Sequence, residues 1–369
     1  MKAGSRFQRF KDSGYPGLLV LVACVVLLPL AVSNNYQYDV AMKIALNAIV
    51  AVGLNLLIGY AGQISLGHAG FFAIGAYASA ILTAKHNWHG VPALVVGALG
   101  AGLLAWAVAR PILRLHGHYL AMATLGLGII ISIVINREID FTGGPDGLAI
   151  PTMVVFGKRL RDPQIWYWII CVALVVVVWL SVHLMRSAFG RGLRALADSE
   201  TAAQTAGLDT AAMKVRIFVL SAVIAAVAGS LFAHAERYVT PDEAGFLRSV
   251  ELVTMVVVGG MASTYGAVVG AALITLLPQA LSDFPQWHDL LFGIILVSVL
   301  IFLPRGLVPS IGEWFSQHRQ RLASIAEESA ATESSGAKSL DPPPDLAAAG
   351  SNSMRPNSPH SAAGSGGRS

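Results

Sequence analysis

Charged side chains are scarce in this chain. Asp, Glu, Lys and Arg make up 12% of its 369 residues, where soluble domains carry about 25%. With 55% hydrophobic residues and a mean hydropathy of +0.63, that scarcity excludes an ordinary water-soluble globule. Cysteine is nearly absent. Cys24 and Cys171 both lie inside apolar runs, so neither a disulfide framework nor a cysteine metal site is implied. The histidines are scattered without metal-ligand spacing, and no metal is expected. No basic stripe interleaves with aromatics, so the formal charge of +4 implies no nucleic-acid partner.

Catalytic motifs are missing as well. There is no GxxxxGK followed by Ser or Thr, so ATP is not bound through a P-loop of this chain. There is no HExxH zinc site and no GxSxG nucleophile elbow. No Asp-rich pair suits pyrophosphate chemistry, and intramembrane carboxylates are too few for a proton relay. The chain is therefore not expected to be an enzyme or to hold a cofactor of its own.

What is present is apolar sequence in long runs. A bilayer span needs about 20 such residues. Runs of that order lie near 16–33, 40–58, 64–84, 91–109, 119–136, 165–185, 217–235, 249–262, 266–282 and 287–304. They predict an all-α, polytopic membrane protein of about 8–10 transmembrane helices. Lys2, Arg6, Arg9 and Lys11 precede the first run, which has no clean cleavage site and reads as an anchor rather than a signal peptide. With the N-terminus inside and ten spans, fourteen basic residues fall at the cytoplasmic face and eight outside, with three more in the far C-terminal tail. That is the expected bias. The domains are then a cytoplasmic N-terminus at 1–15, a membrane domain at 16–304, and a cytoplasmic tail at 305–369. From about 322 the tail is rich in Ala, Ser, Gly and Pro and is expected to be disordered.

One polar island interrupts the apolar pattern. Residues 186–214 place Arg191, Arg194, Asp198 and Glu200 among Leu193, Leu196, Ala202 and Ala203 at roughly helical spacing. Arg194 and Asp198 stand at i and i+4, where they can pair. Gly207 falls where a left-handed cap belongs, and Asp209 and Thr210 can cap the helix that follows. A short surface helix between two spans is a handle on which a soluble partner can push.

Two glycine-rich interruptions also stand out. In GYAGQISLGHAGFFAIGAY (59–77), Gly59, Gly62, Gly67, Gly70 and Gly75 crowd around Gln63, Ser65 and His68. In VVGGMASTYGAVVG (257–270) the glycines are Gly259, Gly260, Gly266 and Gly270. Glycine-broken segments in both halves of a membrane protein point to a transport path, although glycine also serves plain close packing of helices. Asn47 and Asn55 share a face of the second span and read as interhelical glue. Glu251 reads equally as an interfacial or a lining carboxylate, and His234 and Glu236 as interfacial.

These stretches together resemble the permeases of branched-chain amino acid ABC transporters, LivM type. The resemblance is carried in order by GLNLLIGYAGQISLGHAGFFAIGAYASAIL (53–82), TGGPDGL (142–148), SAFGRGLRALADSETAAQTAGLDTAAMKVRIFVLSAVIAAVAGSLFA (187–233) and VVVGGMASTYGAVVGAAL (256–273). It implies a bacterial inner-membrane subunit with both termini cytoplasmic. It implies four kinds of partner: a second related permease, two cytoplasmic ATPase subunits that use ATP and Mg, a periplasmic binding protein, and the lipid bilayer. Arg191, Arg194, Asp198, Glu200, Ala202, Ala203 and Gly207 would form the ATPase coupling surface. Gly62, Gln63, Ser65, Gly67, His68, Gly259, Gly260 and Gly266 would line the pathway. Thr142, Gly143, Gly144 and Asp146 would dock the binding protein, unless that loop is only a tight connector. Two other readings stay open on residues alone: a permease for urea or short amides, and an ion-coupled secondary carrier that needs no ATPase.

Overall fold

The computed structural model describes residues 15–31, 34–115, 117–155 and 158–280, together with 293, 294, 297, 306–308 and 310. The chain divides after Glu313, and all described residues precede that point. The last expected span (287–304) lies almost wholly outside the described residues. The termini at 1–14 and 311–369, with the expected disordered tail, lie entirely outside them.

The described chain is helical. The helices are α1 (Tyr15–Ala31), α2 (Asn35–Ala61), α3 (His68–Ala84), α4 (Gly90–Ile112), α5 (His118–Arg137), the single turn α6 (Ile139–Thr142), α7 (Pro163–Arg186), α8 (Ala188–Asp198), α9 (Glu200–Thr205), α10 (Thr210–Glu236), α11 (Phe246–Gly259) and α12 (Thr264–Ala280). Among the described residues, strand is confined to two tiny antiparallel pairs. Leu148–Ala149 pairs with Tyr238–Val239, and Val154–Val155 pairs with Lys158–Arg159. Among the described residues, five helices (α2, α4, α5, α7 and α10) are long and apolar enough to cross a membrane, and α1, α3 and α12 contain shorter apolar stretches.

Helices α2, α3 and α10 make the interior; in α3, Phe71, Phe72, Ala73, Ala76 and Tyr77 are all buried. In the most apolar window of α2, 83% of residues are buried, and in that of α10, 61%; the values for α4 and α5 are 33% and 22%. The rim helices turn Leu99, Leu103, Met122 and Val172 outward, as lipid-facing surfaces do. Of the interior helices, α2 and α10 outrun the apolar runs that announce them. Charged residues at one end, Asp39 and Lys43 in α2 and Lys214 and Arg216 in α10, cut the hydropathy short without ending the helix.

Small residues set the central packing. A Cβ on Gly75 of α3 would overlap the Ala226 carbonyl of α10, and one on Gly229 would overlap the Phe72 carbonyl. The Ser230 hydroxyl donates to the Gly75 carbonyl at 2.8 Å across the same contact. At the periphery, Pro29 cannot donate to the carbonyl of Val25 four residues earlier. The Tyr167 hydroxyl of α7 donates to that carbonyl at 2.7 Å and ties α1 to the bundle.

Candidate functional site

The 186–214 island folds as two helices where the sequence reads as one. Ser199 is extended (φ −161°, ψ 112°) and its side chain accepts from Ala202 N–H at the start of α9. The hydrophobic spacing runs on across this joint, which is why periodicity alone fuses the two. Ser187 caps α8 by accepting from Gly190 N–H at 3.3 Å. At the other end, Gly207 (φ +81°) closes α9. Its N–H donates to Gln204 O, and that of Leu208 to Ala203 O, the pair of bonds that defines a Schellman cap. Asp209 then caps α10 by accepting from Ala212 N–H at 3.0 Å.

The expected Arg194–Asp198 pair does not form. Arg194 Nη2 reaches back to the Met185 carbonyl at 2.6 Å, where a helix end leaves carbonyls without intrahelical donors. Glu200 instead pairs with Lys214 at 2.6 Å, which fastens α9 to the start of α10. Leu193, Leu196 and Ala203 are buried, while Arg191, Arg194, Asp198 and Ala202 are exposed. The closest atoms to a Cβ placed on Gly62, at the end of α2, belong to Ala197 of α8. The α8–α9 pair is thus amphipathic: its apolar edge lies against the bundle and its charged edge is open.

Helix α2 ends at Gly62 (φ +65°) and α3 begins only at His68. The expected third span, 64–84, therefore starts four residues late. Across the break Gln63 and Ser65 are buried while Gly62 and Ile64 are exposed, the alternation of an extended chain. Ser221 donates to the Gly53 carbonyl at 2.7 Å, so its oxygen accepts from His68 Nε2–H at 2.7 Å. His68 Nδ1 then accepts from the Ser65 hydroxyl at 2.9 Å. This relay joins the break to α2 and α10. Leu66 N–H donates to Thr124 Oγ1 of α5 at 3.1 Å, and a Cβ on Gly67 would overlap the Thr124 carbonyl. Gln63 Oε1 is buried with no hydrogen bond among the described residues.

The second glycine cluster is the α11–α12 turn. A Cβ on Gly259 would overlap the Gly266 carbonyl, and one on Gly270 would overlap that of Met255. The two backbones can meet only without side chains. Gly260 (φ 115°, ψ 114°) turns the chain, and Asn55 Oδ1 of α2 accepts from Ala262 N–H at 3.0 Å. Asn47 of α2 donates to Thr275 of α12 at 2.8 Å. Both asparagines are thus interhelical ties. Helix α11 has 14 residues, about 21 Å of rise, short of a hydrocarbon core of about 30 Å.

At the opposite end of the bundle, Thr142 is buried and donates to the carbonyls of Ile135 and Glu138 at 2.6 and 2.7 Å. Its oxygen also accepts from Gly144 N–H. Gly143 (φ +82°) and Gly144 shape the turn, while Pro145 and Asp146 are exposed. Tyr238 donates to the Asp146 carbonyl. Thr142, Gly143 and Gly144 thus build the loop, and Asp146 is the residue of that set presented to solvent. Nearby stands a network that separate weighing of Asn47, Glu236 and Glu251 does not foretell. Arg248 donates to Glu251 at 2.7 Å and to Asn47 at 2.6 Å and lies 3.4 Å from Glu243.

The family described as branched-chain amino acid transport system / permease component matches residues 37–300. The chain is similar to the high-affinity branched-chain amino acid transport system permease protein LivM of Salmonella typhimurium, 32% identical over 319 residues. That alignment covers 79% of this chain and 74% of the relative. LivM of Escherichia coli is 31% identical over 316 residues, with the same coverage. The permease protein LivH of Escherichia coli is 27% identical over 282 residues, 71% of this chain and 90% of the relative. No solved structure matches the chain.

Proposed function

The chain belongs to the branched-chain amino acid transport permease family, and on that premise we propose that it moves branched-chain or related hydrophobic amino acids into the cytoplasm as one of two permeases in an ABC importer. It is a multi-pass membrane protein. Similarity to both LivM and LivH supports a permease pair. In this reading the protein sits in a bacterial inner membrane with both termini cytoplasmic, and a periplasmic binding protein delivers the amino acid. Two separate ATPase subunits bind and hydrolyse ATP with Mg. The relatives named above lend no support to a urea or amide permease or to an ion-coupled carrier.

One observation supports the mechanism above the others. The α8–α9 pair exposes Arg191, Asp198 and Ala202, while Leu193 and Leu196 are buried and Glu200 holds the start of α10. A force on the exposed edge would therefore pass to two of the interior helices, α2 through Gly62 and α10 through Lys214. The break at 62–67 and the α11–α12 turn are the non-helical joints beside them. Alternating access would then come from rocking of the bundle about those joints, with Ser65 and His68 positioning the break and Gly259, Gly260 and Gly266 allowing the turn.

A cysteine at Ala202 tests the contact. In the assembled importer, Ala202→Cys is expected to cross-link to the ATPase subunit, with a yield that changes when ATP is trapped. Cross-linking to the binding protein instead would overturn the assignment of this face.

A further inference from the structure

At the end of α10 farthest from α9, the first half of α2, the start of α11 and the end of α12 surround an open cavity of about 450 Å³. Its charged lining is Lys43, Glu236, Asp242, Glu243, Arg248 and Glu251. Four carboxylates face two cations, an excess of two formal negative charges. Lys43 pairs with Glu236 at 3.5 Å, and Arg248 with Glu251 at 2.7 Å. The remaining pair is incomplete. Arg248 Nε lies 3.4 Å from Glu243 Oε2, yet both atoms are buried and neither makes a hydrogen bond among the described residues. A buried guanidinium N–H and a buried carboxylate oxygen left in this way are costly.

Burial pushes the Glu243 carboxyl above the ordinary carboxylate range. Arg248 opposes that rise, while Glu251, Glu236 and Asp242 add to it. Such a setting gains from one more positive charge. The rest of the wall is mixed: Phe232 and Pro278 are apolar, while Asn47, Thr275 and Gln279 are polar. The volume lies in the range of small-molecule sites.

We propose that this cavity is an entry subsite for an α-amino acid zwitterion with an aliphatic side chain. The ammonium meets the surplus carboxylates, the substrate carboxylate reaches Arg248 Nε by taking the place of Glu243 Oε2 beside it, and the side chain lies toward the half-buried Phe232 and Pro278. Neither charged group is taken in alone at full strength, because each leaves its counterpart in the wall unmatched. The inference rests on the proposed amino acid transport and gives it contact residues.

The test uses the full importer in lipid nanodiscs without its binding protein. Cys24→Ser and Cys171→Ser remove the native thiols, and Gln279→Cys places a reporter on the cavity wall. L-leucine, at about ten times its dissociation constant, is expected to slow labelling by a charged methanethiosulfonate about tenfold. Isopentylamine and 4-methylpentanoate, each lacking one charged group, are expected to protect less. Arg248→Gln is expected to abolish leucine protection and spare that by isopentylamine, with Arg248→Lys restoring part of it. Leucine transport into liposomes by the same complex without protection would overturn the subsite, as would equal protection by leucine and 4-methylpentanoate. Protection without transport would uphold the subsite and overturn the transport reading, and loss of both would overturn both.

Discussion

Lys214 is a buried cation at the start of a central helix, and Glu200 is what makes it tolerable there. Removing the carboxylate leaves a charged donor without that partner, at a cost of about 1–3 kcal/mol. Glu200→Ala is therefore expected to lower the thermal midpoint of the detergent-solubilised protein, and adding Lys214→Met to recover part of the loss. A double variant less stable than Glu200→Ala alone would contradict the pairing. Glu243 carries the opposite sign. Its folded pKa is raised, so its contribution to stability is whole below the ordinary carboxylate range and is lost as pH rises through the raised value. Glu243→Gln is expected to flatten that loss, leaving stability in acid unchanged and raising it above that window; equal pH profiles would contradict this. Legibility at this scale follows sequence distance. The Asp209 cap and the left-handed Gly207 are local and readable. The Arg248–Asn47 bond spans 201 positions, so its members look like isolated interfacial residues until the helices are packed.

Among the elements, the α8–α9 pair depends on its C-terminal cap. Gly207 holds a φ of +81° that proline cannot adopt, and its N–H is used in the cap. Gly207→Pro is expected to leave the protein inserted while cutting binding-protein-stimulated ATP hydrolysis and uptake together. Normal uptake would count against α8 and α9 as transmitters. The α11–α12 turn should fail differently. Gly270→Leu forces a side chain into the Met255 carbonyl and is expected to destabilise by about 1–3 kcal/mol or more, seen as early aggregation on heating. A fully stable variant would show that the backbones do not approach so closely. The sequence announces both glycine-broken regions, because glycine and buried polar side chains are costly in an uninterrupted span. It does not announce the joint at Ser199, because Leu193, Leu196 and Ala203 keep their spacing across one extended residue.

Among the described residues, the buried helices α2, α3 and α10 are bordered by helices that turn apolar side chains outward. Composition alone makes that class of protein legible. Which helices are central is not legible, since α7 is the most apolar of the five long helices among the described residues and is yet mostly unburied. Small residues and serine hydroxyls, rather than hydropathy, select the centre. Helices α2 and α10 meet the α8–α9 surface at one end and the Arg248 cavity at the other, so they would join the proposed ATPase contact to the proposed entry subsite. Uptake of radiolabelled L-leucine into liposomes that hold the purified permease pair, with binding protein outside and ATP inside, decides whether that route is driven. Accumulation is expected only when the ATPase subunits are present and ATP is hydrolysed; accumulation at the same rate without them would contradict an importer worked through α8 and α9.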